Sequence, residues 1–519
     1  MVRTFRRPTL IVVAALLALG LAGCAQLHAA PTTSGTTGAS SATTASSSPD
    51  RTAGPVRPAV ASSHSSMAPS ESEGARVQAR IESIRHSLDG SRVADFAVGA
   101  YRGKNVILIQ VESLNGFLIG NEYGGQEVTP NLNKLIKSSW YWPNTFSQTG
   151  LGNTVDAEFI ANTSLYAPQD QASTVKYANR VIPGLPRVLR GAGYDSFTIH
   201  PNAVLFWNRK QMYEGLGFNR YYDAGFFRGA DTMGEYGSSD EELFKRGAKL
   251  LRALDASGTP FYAQFITLSA HAPFISIPES RQAFRAPEEL IGSLIGDYLP
   301  AEGYSDLAIG KFIKDLKASG VWDNSIVVIY GDHTGMLTNK LGGRRELVAK
   351  QFLGRSYGPV DRQRIPLIIH LPGQTKPVRR TDVAGQVDIM PTIADLVGAD
   401  LAEVPHTGRS LFVNSGSLVP LNAYLPGDSF VNSKVLFMPG KGSEAGSAQD
   451  VFDGSARTPS AQDKADLVRV RDLMRISESY LLGLEKFDGG EQGWIPDSIA
   501  RKAAKPYGFL QRGKGVGSL

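Results

Sequence analysis

A chain of 519 residues with 42% apolar and 20% charged side chains can bury a large core with an appendage, which excludes a wholly disordered protein. Its 54 basic and 49 acidic residues leave a formal charge of +5 with no basic block interleaved with aromatics, so no nucleic-acid footprint is present. The single cysteine, Cys24, excludes an internal disulfide.

The N-terminus reads as a leader. Arg3, Arg6 and Arg7 form a positive head, and Leu10 to Leu21 is an apolar stretch too short to span a bilayer. Leu21-Ala22-Gly23-Cys24 then resembles the cleavage site of a bacterial lipoprotein, which would leave a lipid on Cys24. Residues 1–24 are thus expected to be a signal, and the mature chain to sit on the extracellular face of the cell membrane, held by that anchor. From 25 to 70 the sequence is almost all Ser, Thr, Ala, Gly and Pro, which cannot bury enough apolar surface to fold and reads as a tether. About 50 flexible residues reach on the order of 40 Å. Residues 71–104 include a periodic stretch, with Val77, Ile81, Ile84 and Leu88, that predicts a helix packed on the folded domain.

From 105 to 414 strands and helices alternate. Asn105 to Val111 is a nearly continuous apolar run of buried-strand type, and Thr129 to Ser138 reads as a helix with Pro130 at its start. A glycine-rich turn, Thr149-Gly150-Leu151-Gly152-Asn153, runs into a helix beginning at Thr154. Further helices are predicted near Leu185 to Ala192, at Asp240 to Leu254, Tyr304 to Ala318 and Ile389 to Val397. Strands are predicted at Ser196 to His200, Phe261 to Leu268, Ser325 to Tyr330 and Ile365 to Leu371. This alternation predicts an α/β fold with a doubly wound, mostly parallel sheet, whose ligands collect at the carboxyl ends of strands. Residues 415–519 read as a smaller α+β subdomain and tail, with strands at Val431 to Met438 and Ser479 to Leu484 and a helix at Gln462 to Ile476 between them.

The chemistry collects at strand ends. Glu112 follows the first strand and Asp332-His333 follows Val327-Val328-Ile329-Tyr330-Gly331, while Thr154 opens its helix at the positive end of the dipole. Each could be an ordinary cap. Together they supply two carboxylates, an imidazole and a hydroxyl, a set that suits Mn²⁺ or Mg²⁺ and an activated oxygen nucleophile.

These residues sit in a longer series of motifs. Val111-Glu112-Ser113, Gln126-Glu127-Val128-Thr129-Pro130-Asn131-Leu132-Asn133, Gln148-Thr149-Gly150 with Thr154-x-Asp156-Ala157-Glu158-Phe159, and Asn162-Thr163-Ser164-Leu165-Tyr166 come first. Phe206-Trp207-Asn208-Arg209, Thr267-Leu268-Ser269-x-His271, Tyr330-Gly331-Asp332-His333 and Gly385-Gln386-Val387-Asp388-Ile389-Met390-Pro391-Thr392 come after them in order. The series resembles the extracellular domain of lipoteichoic acid synthases, within the alkaline phosphatase and sulfatase superfamily, from about residue 105 to 412 and more faintly beyond. The resemblance implies that Thr154 is the nucleophile and that Glu112, Thr154, Asp332 and His333 hold one Mn²⁺, or Mg²⁺. It implies that His200, Trp207, Arg209 and His271 line a phosphoglycerol pocket. It also implies transfer of glycerol phosphate from phosphatidylglycerol to a glycan, glycolipid or teichoic-type acceptor through a threonine ester. Two departures stand out: an anchor and tether replace the membrane helices that precede the synthase domain, and Asn153 stands where that family often has Lys. The rival readings are a phosphoethanolamine transferase or phosphodiesterase of the same superfamily, and a non-catalytic lipoprotein that binds teichoic polymer. A sulfatase would need a Cys/Ser-x-Pro-x-Arg context, and the one match, Ser47-Ser48-Pro49-Asp50-Arg51, falls in the tether.

Overall fold

The computed structural model describes residues 72–84, 91–233, 236–336, 344–414, 416–422, 424–440 and 446–487. The signal, Cys24, the tether and the C-terminal tail expected from the sequence lie outside the described residues. No helix among the described residues is long and apolar enough to cross a membrane.

A nine-stranded sheet forms the centre. Its strands are β1 (Asn105–Val111), β2 (Trp140–Phe146), β3 (Asp195–Ile199), β4 (Arg220–Tyr222), β5 (Phe261–Ile266), β6 (Ser325–Gly331), β7 (Arg364–His370), β8 (Val378–Arg379) and β9 (Ala384–Gly385). The spatial order is β8-β2-β7-β6-β1-β5-β3-β4, with β9 also pairing β2. All neighbours are parallel except around β7, which runs antiparallel to both β2 and β6. β1, β5 and β6 are buried along their whole length, which is why they read as nearly continuous apolar runs rather than alternating ones.

The pleat divides β1 between two cores. Ile107, Ile109 and Val111 pack with α5 (Asp240–Asp255) and α6 (Leu294–Ser319), through Leu243, Phe244, Tyr298 and Phe312. Val106 and Leu108 pack on the other face with α2 (Thr154–Thr163), α3 (Leu185–Gly191), α4 (Arg209–Leu216) and α7 (Ile389–Val397). The expected α/β architecture with helices on both faces is therefore present, as a mixed, mostly parallel sheet. The leading helix α1 is described over Glu73–Ile84 and buries Ile81, while the expected Leu88 lies outside the described residues.

Several elements differ from the sequence expectation. The Thr129 to Ser138 helix is α-helical only over Pro130–Leu135 and tightens into a 3₁₀ turn at Ile136–Ser138. α6 starts at Leu294, ten residues earlier than expected, because Ser293 caps it by accepting from the Gly296 amide and the helix continues through Pro300. β2 has no clear sequence pattern, since Pro143 and a register shift between Trp142 and Thr145 interrupt it.

At the C-terminal end a five-stranded antiparallel sheet contains β10 (Leu418–Leu421), β11 (Ser429–Asn432), β12 (Val435–Pro439), β13 (Gly446–Asp450) and β14 (Ala456–Arg457). The single strand expected over Val431 to Met438 is a hairpin. The Asn432 side chain accepts from the amides of Lys434 and Val435, both at 2.9 Å, and turns the chain between β11 and β12. The strand expected at Ser479 to Leu484 does not exist. That stretch ends α8 (Ala461–Gly483), whose Ile476 and Leu481 are buried in the same core as Ile81. A short apolar run does not distinguish strand from buried helix, and here the tertiary partner decides.

Candidate active site

The carboxyl ends of four strands meet at one rim. β1 leads into Glu112, β6 into Asp332 and His333, β5 into Thr267, and β3 into His200. The parallel pairing of β1 with β6, Val111 opposite Gly331, brings Glu112 beside Asp332. The Glu112 amide donates to the Thr267 hydroxyl at 2.8 Å, so the β5 edge is locked to the same point.

Thr154 is the first residue of α2, and its hydroxyl faces this rim. Thr154 Oγ1 donates to Glu112 Oε2 at 3.0 Å and lies 3.4 Å from His333 Nε2. His333 Nε2 is 3.3 Å from Glu112 Oε1 and 3.6 Å from Asp332 Oδ2. The other imidazole nitrogen, Nδ1, is 3.1 Å from the Thr334 carbonyl, which orients Nε2 toward the carboxylates. Asp332 Oδ1 accepts from the Ser113 amide at 2.8 Å and the His333 amide at 2.6 Å, while Oδ2 is buried without a hydrogen-bond partner.

The charges at this rim do not balance. Burial alone would lower the His333 imidazole, but the Asp332 and Glu112 carboxylates push it up to about 10. Burial and then the charge of Glu112 raise Asp332. Burial would also raise Glu112, and His333 overrides it and holds that carboxyl low. One imidazolium cannot neutralise two buried carboxylates. Ligand atoms of Glu112, Asp332 and His333 all lie within 4.8 Å of one another. With an orphaned Asp332 oxygen and the Thr154 hydroxyl alongside, the donor set fits a hard divalent cation.

The turn before Thr154 is built by Asp156. Its buried carboxylate reaches back to accept from the amides of Gly150 at 3.0 Å and Gly152 at 2.8 Å, and from the Ser173 amide and hydroxyl at 2.8 and 2.7 Å. A Cβ on Gly152 would strike the Asp156 carboxylate and lie 2.9 Å from Ala172 Cβ, so glycine is required for this close approach. Asn153, the helix cap, has φ 45° and ψ −108°, and the Tyr424 hydroxyl donates to its side chain at 3.0 Å. Asn153 therefore offers a neutral group bonded to the C-terminal segment at the position where lysine was the family expectation.

The remaining predicted residues divide by environment. His200 is buried, with Nδ1 3.0 Å from the Ile266 carbonyl; burial and then the Arg209 charge push it down to about 3, so it is neutral. Arg209 is buried too, and its Nε donates to Glu158 Oε1 at 2.8 Å. Tyr213 donates to the other Glu158 oxygen at 2.6 Å. A two-pronged phosphate grip by Arg209 is thus altered: Glu158 occupies the Nε edge, and the buried, unpartnered Nη1 is what remains to be satisfied. His271 is half-buried, its ring 4.6 Å from that of Tyr236. Trp207 is half-exposed two residues before Arg209, in a left-handed conformation with φ 56°.

Sequence reasoning quotes Asp156 and Glu158 only within the motif that follows Thr154, with no role for either, and does not single out Tyr213 or Ser173. A signal exists for Glu158, which sits four residues after Thr154 on the same helix face. For Tyr213 and Ser173 no local signal exists.

The rim geometry, a threonine at the first position of a helix over two strand-end carboxylates and a histidine, coincides with a family match: the model of the Sulfatase family matches residues 104–399. The chain belongs to the sulfatase family. This sulfatase-family chain is 33% identical over 389 residues to lipoteichoic acid synthase 2 of Bacillus subtilis (strain 168), covering 74% of this chain and 57% of that protein. It is 35% identical over 320 residues to lipoteichoic acid synthase of Staphylococcus aureus (strain USA300), covering 60% and 48%. The chain thus spans about half the length of the curated relatives it matches. The crystal structure of lipoteichoic acid synthase LtaP from Listeria monocytogenes superposes with a TM-score of 0.74 at 32% identity, over 79% of this chain and 100% of that one. An alkaline phosphatase superfamily protein from Vibrio parahaemolyticus shares the fold, with a TM-score of 0.63 at 20% identity over 80% of this chain and 98% of that chain. The resemblance carried by the sequence motifs is borne out at the level of family and fold.

Proposed function

We propose that this protein is a metal-dependent phosphoglycerol transferase that moves glycerol phosphate from phosphatidylglycerol to a hydroxyl on a glycan, glycolipid or teichoic-type acceptor. It acts at the extracellular face of the membrane, to which a lipid on Cys24 holds it. The observation that carries the reading is Thr154 Oγ1 within 3.4 Å of both Glu112 and His333 at the N-terminus of a helix, in a chain about one-third identical to lipoteichoic acid synthases.

Glu112, Thr154, Asp332 and His333 would hold one Mn²⁺, or Mg²⁺, which when bound lowers the pKa of the threonine hydroxyl and screens charge on the phosphate. Thr154 Oγ attacks phosphorus, its bond to phosphorus forms, and the phosphorus–oxygen bond to diacylglycerol breaks. As Thr154 Oγ bonds to phosphorus its proton passes to Glu112, the carboxylate it already faces, and the departing diacylglycerol oxygen takes a proton from the half-buried His271 imidazole. The positive end of α2 would favour the phosphate, and the unpartnered Arg209 Nη1 would donate to one of its oxygens, with Glu158 holding the guanidinium in position. His200, neutral with Nδ1–H given to Ile266, presents Nε2 as an acceptor for a glycerol hydroxyl. An acceptor oxygen then bonds to phosphorus as the bond from phosphorus to Thr154 Oγ breaks; the acceptor's proton passes to His271, and Thr154 Oγ regains its own from Glu112, which frees the enzyme.

The test is the intact mass of the protein after exposure to phosphatidylglycerol with Mn²⁺. A phosphoglycerol-sized increment on Thr154, with diacylglycerol released, is expected. Equal diacylglycerol release by Thr154→Ala would refute the assignment.

A further inference from the structure

One contact joins the C-terminal segment to the turn that delivers Thr154. Asn153 stands at the cap position of α2 with φ 45°, in the left-handed region that favours glycine, and the Val155 amide closes the turn by donating to the Gly152 carbonyl at 3.1 Å. An asparagine there ordinarily accepts from the first amides of its helix, and this side chain caps none of them. Its Oδ1 instead accepts from the Tyr424 hydroxyl at 3.0 Å. Tyr424 is itself left-handed, with φ 61°, a conformation that a bulky side chain rarely takes. Two strained residues thus meet across one hydrogen bond, and strain of this kind persists where surrounding contacts over-determine it. Those contacts are present. Gln148 donates to the Pro420 carbonyl at 3.1 Å and Asn422 to the Ala167 carbonyl at 2.9 Å, which pins the chain just before Tyr424 to segments that precede and follow Thr154 in sequence. Tyr424 also lines one cavity with Tyr357 and Arg362, and the Tyr357 hydroxyl lies 3.5 Å from Thr334 Oγ1, next to His333.

We infer that Tyr424 is a positioning residue: by holding Asn153 in its left-handed conformation it fixes the turn that aims Thr154 Oγ1 at Glu112 and at the substrate phosphorus. The role rests on the transferase reading proposed above, since aim matters only to a nucleophile. Asp156 holds the amides of Gly150 and Gly152, and the ψ of −108° at Asn153 then sets the direction in which the chain enters α2. A turn that relaxes there rotates the first residue of the helix, and Thr154 Oγ1 leaves the 3.0 Å contact with Glu112 on which its attack depends. The tie belongs to this chain's own sequence. Lysine, the family expectation at position 153, has no oxygen to accept from a tyrosine hydroxyl. The asparagine exchanges a charge beside the nucleophile for a link to the C-terminal segment.

The test is a double-mutant cycle in the full chain, with Mn²⁺ and phosphatidylglycerol vesicles. Tyr424→Phe removes the hydroxyl and keeps the ring, and Asn153→Gly supplies a residue that takes the turn without help. Expected in Tyr424→Phe is a roughly tenfold loss of kcat for diacylglycerol release, with KM within about twofold and metal content unchanged. No further loss is expected when Tyr424→Phe is added to Asn153→Gly. Amide exchange across residues 150–156, read by mass spectrometry on the same four proteins, should quicken about tenfold in Tyr424→Phe and not differ between Asn153→Gly and the double variant. With an active wild type, an unchanged kcat or unchanged exchange in Tyr424→Phe would overturn the inference. So would an equal loss in both backgrounds, which would make Tyr424 a substrate contact or a packing residue. No diacylglycerol from the wild type would sink the transferase reading, and the exchange rates would still decide whether Tyr424 holds the turn.

Discussion

At the scale of single residues, the site works by leaving selected groups unsatisfied. Asp332 Oδ2 and Arg209 Nη1 are buried without partners, a state that costs about 1–3 kcal/mol each and is tolerated where a ligand completes the set. Glu158→Gln keeps the shape but removes the charge that pins Arg209, and kcat/KM for phosphatidylglycerol is expected to fall about tenfold with metal content unchanged. His200 gives a pH prediction. Its folded pKa is depressed to about 3 against an ordinary 6.5, so between those values the unfolded chain binds a proton that the folded one refuses. That contribution to stability is present above pH 6.5 and lost as pH falls toward 3. Urea midpoints measured at pH 7 and pH 5 should differ less for His200→Gln than for the wild type.

At the scale of elements, the turn into α2 is held by one carboxylate. Asp156 receives four hydrogen bonds from Gly150, Gly152 and Ser173, and its removal would leave buried amides unpaired. Asp156→Ala is expected to destabilise the protein by about 3 kcal/mol, read by chemical denaturation. Gly152→Ala tests placement rather than stability. The added Cβ collides with the Asp156 carboxylate, so the turn must shift and carry Thr154 with it. A misplacement of about 1 Å costs on the order of 10²-fold in rate, and kcat is expected to fall by that amount while the cation remains bound. The same scale shows where local reading stops. The helix at Thr154 and the apolar strand before Glu112 are legible because glycine, N-cap chemistry and a fully buried run have local signatures. β2 is hidden by Pro143, and the α8 end passes for a strand because its burial is set by contact with α1.

At the scale of the whole molecule, the parallel sheet gathers groups more than 200 residues apart in sequence, as Glu112 and His333 are, onto one rim. A divalent cation held there would link three segments of the fold, so its removal is expected to act on stability as well as activity. A ligand present at about 100 times its Kd stabilises by about 2.7 kcal/mol. Stripping the protein with a chelator should abolish diacylglycerol release and lower the unfolding temperature by several degrees, both restored by Mn²⁺; an unchanged melting curve with full activity after verified metal removal would contradict the assignment of the four ligands.

The sequence by itself determined the alternation of buried strands and helices, the strand-end acids, the threonine that opens a helix and the family they resemble, because each is encoded by neighbours within a few residues. Only the tertiary structure decided that Glu158 holds Arg209, that Asp156 builds the turn before Thr154, that β7 runs against its neighbours, and that Leu151, Val175, Leu205 and Phe206 are exposed near one another. Those facts depend on which distant surfaces meet when the core closes, and packing of that kind leaves no periodic trace along the chain.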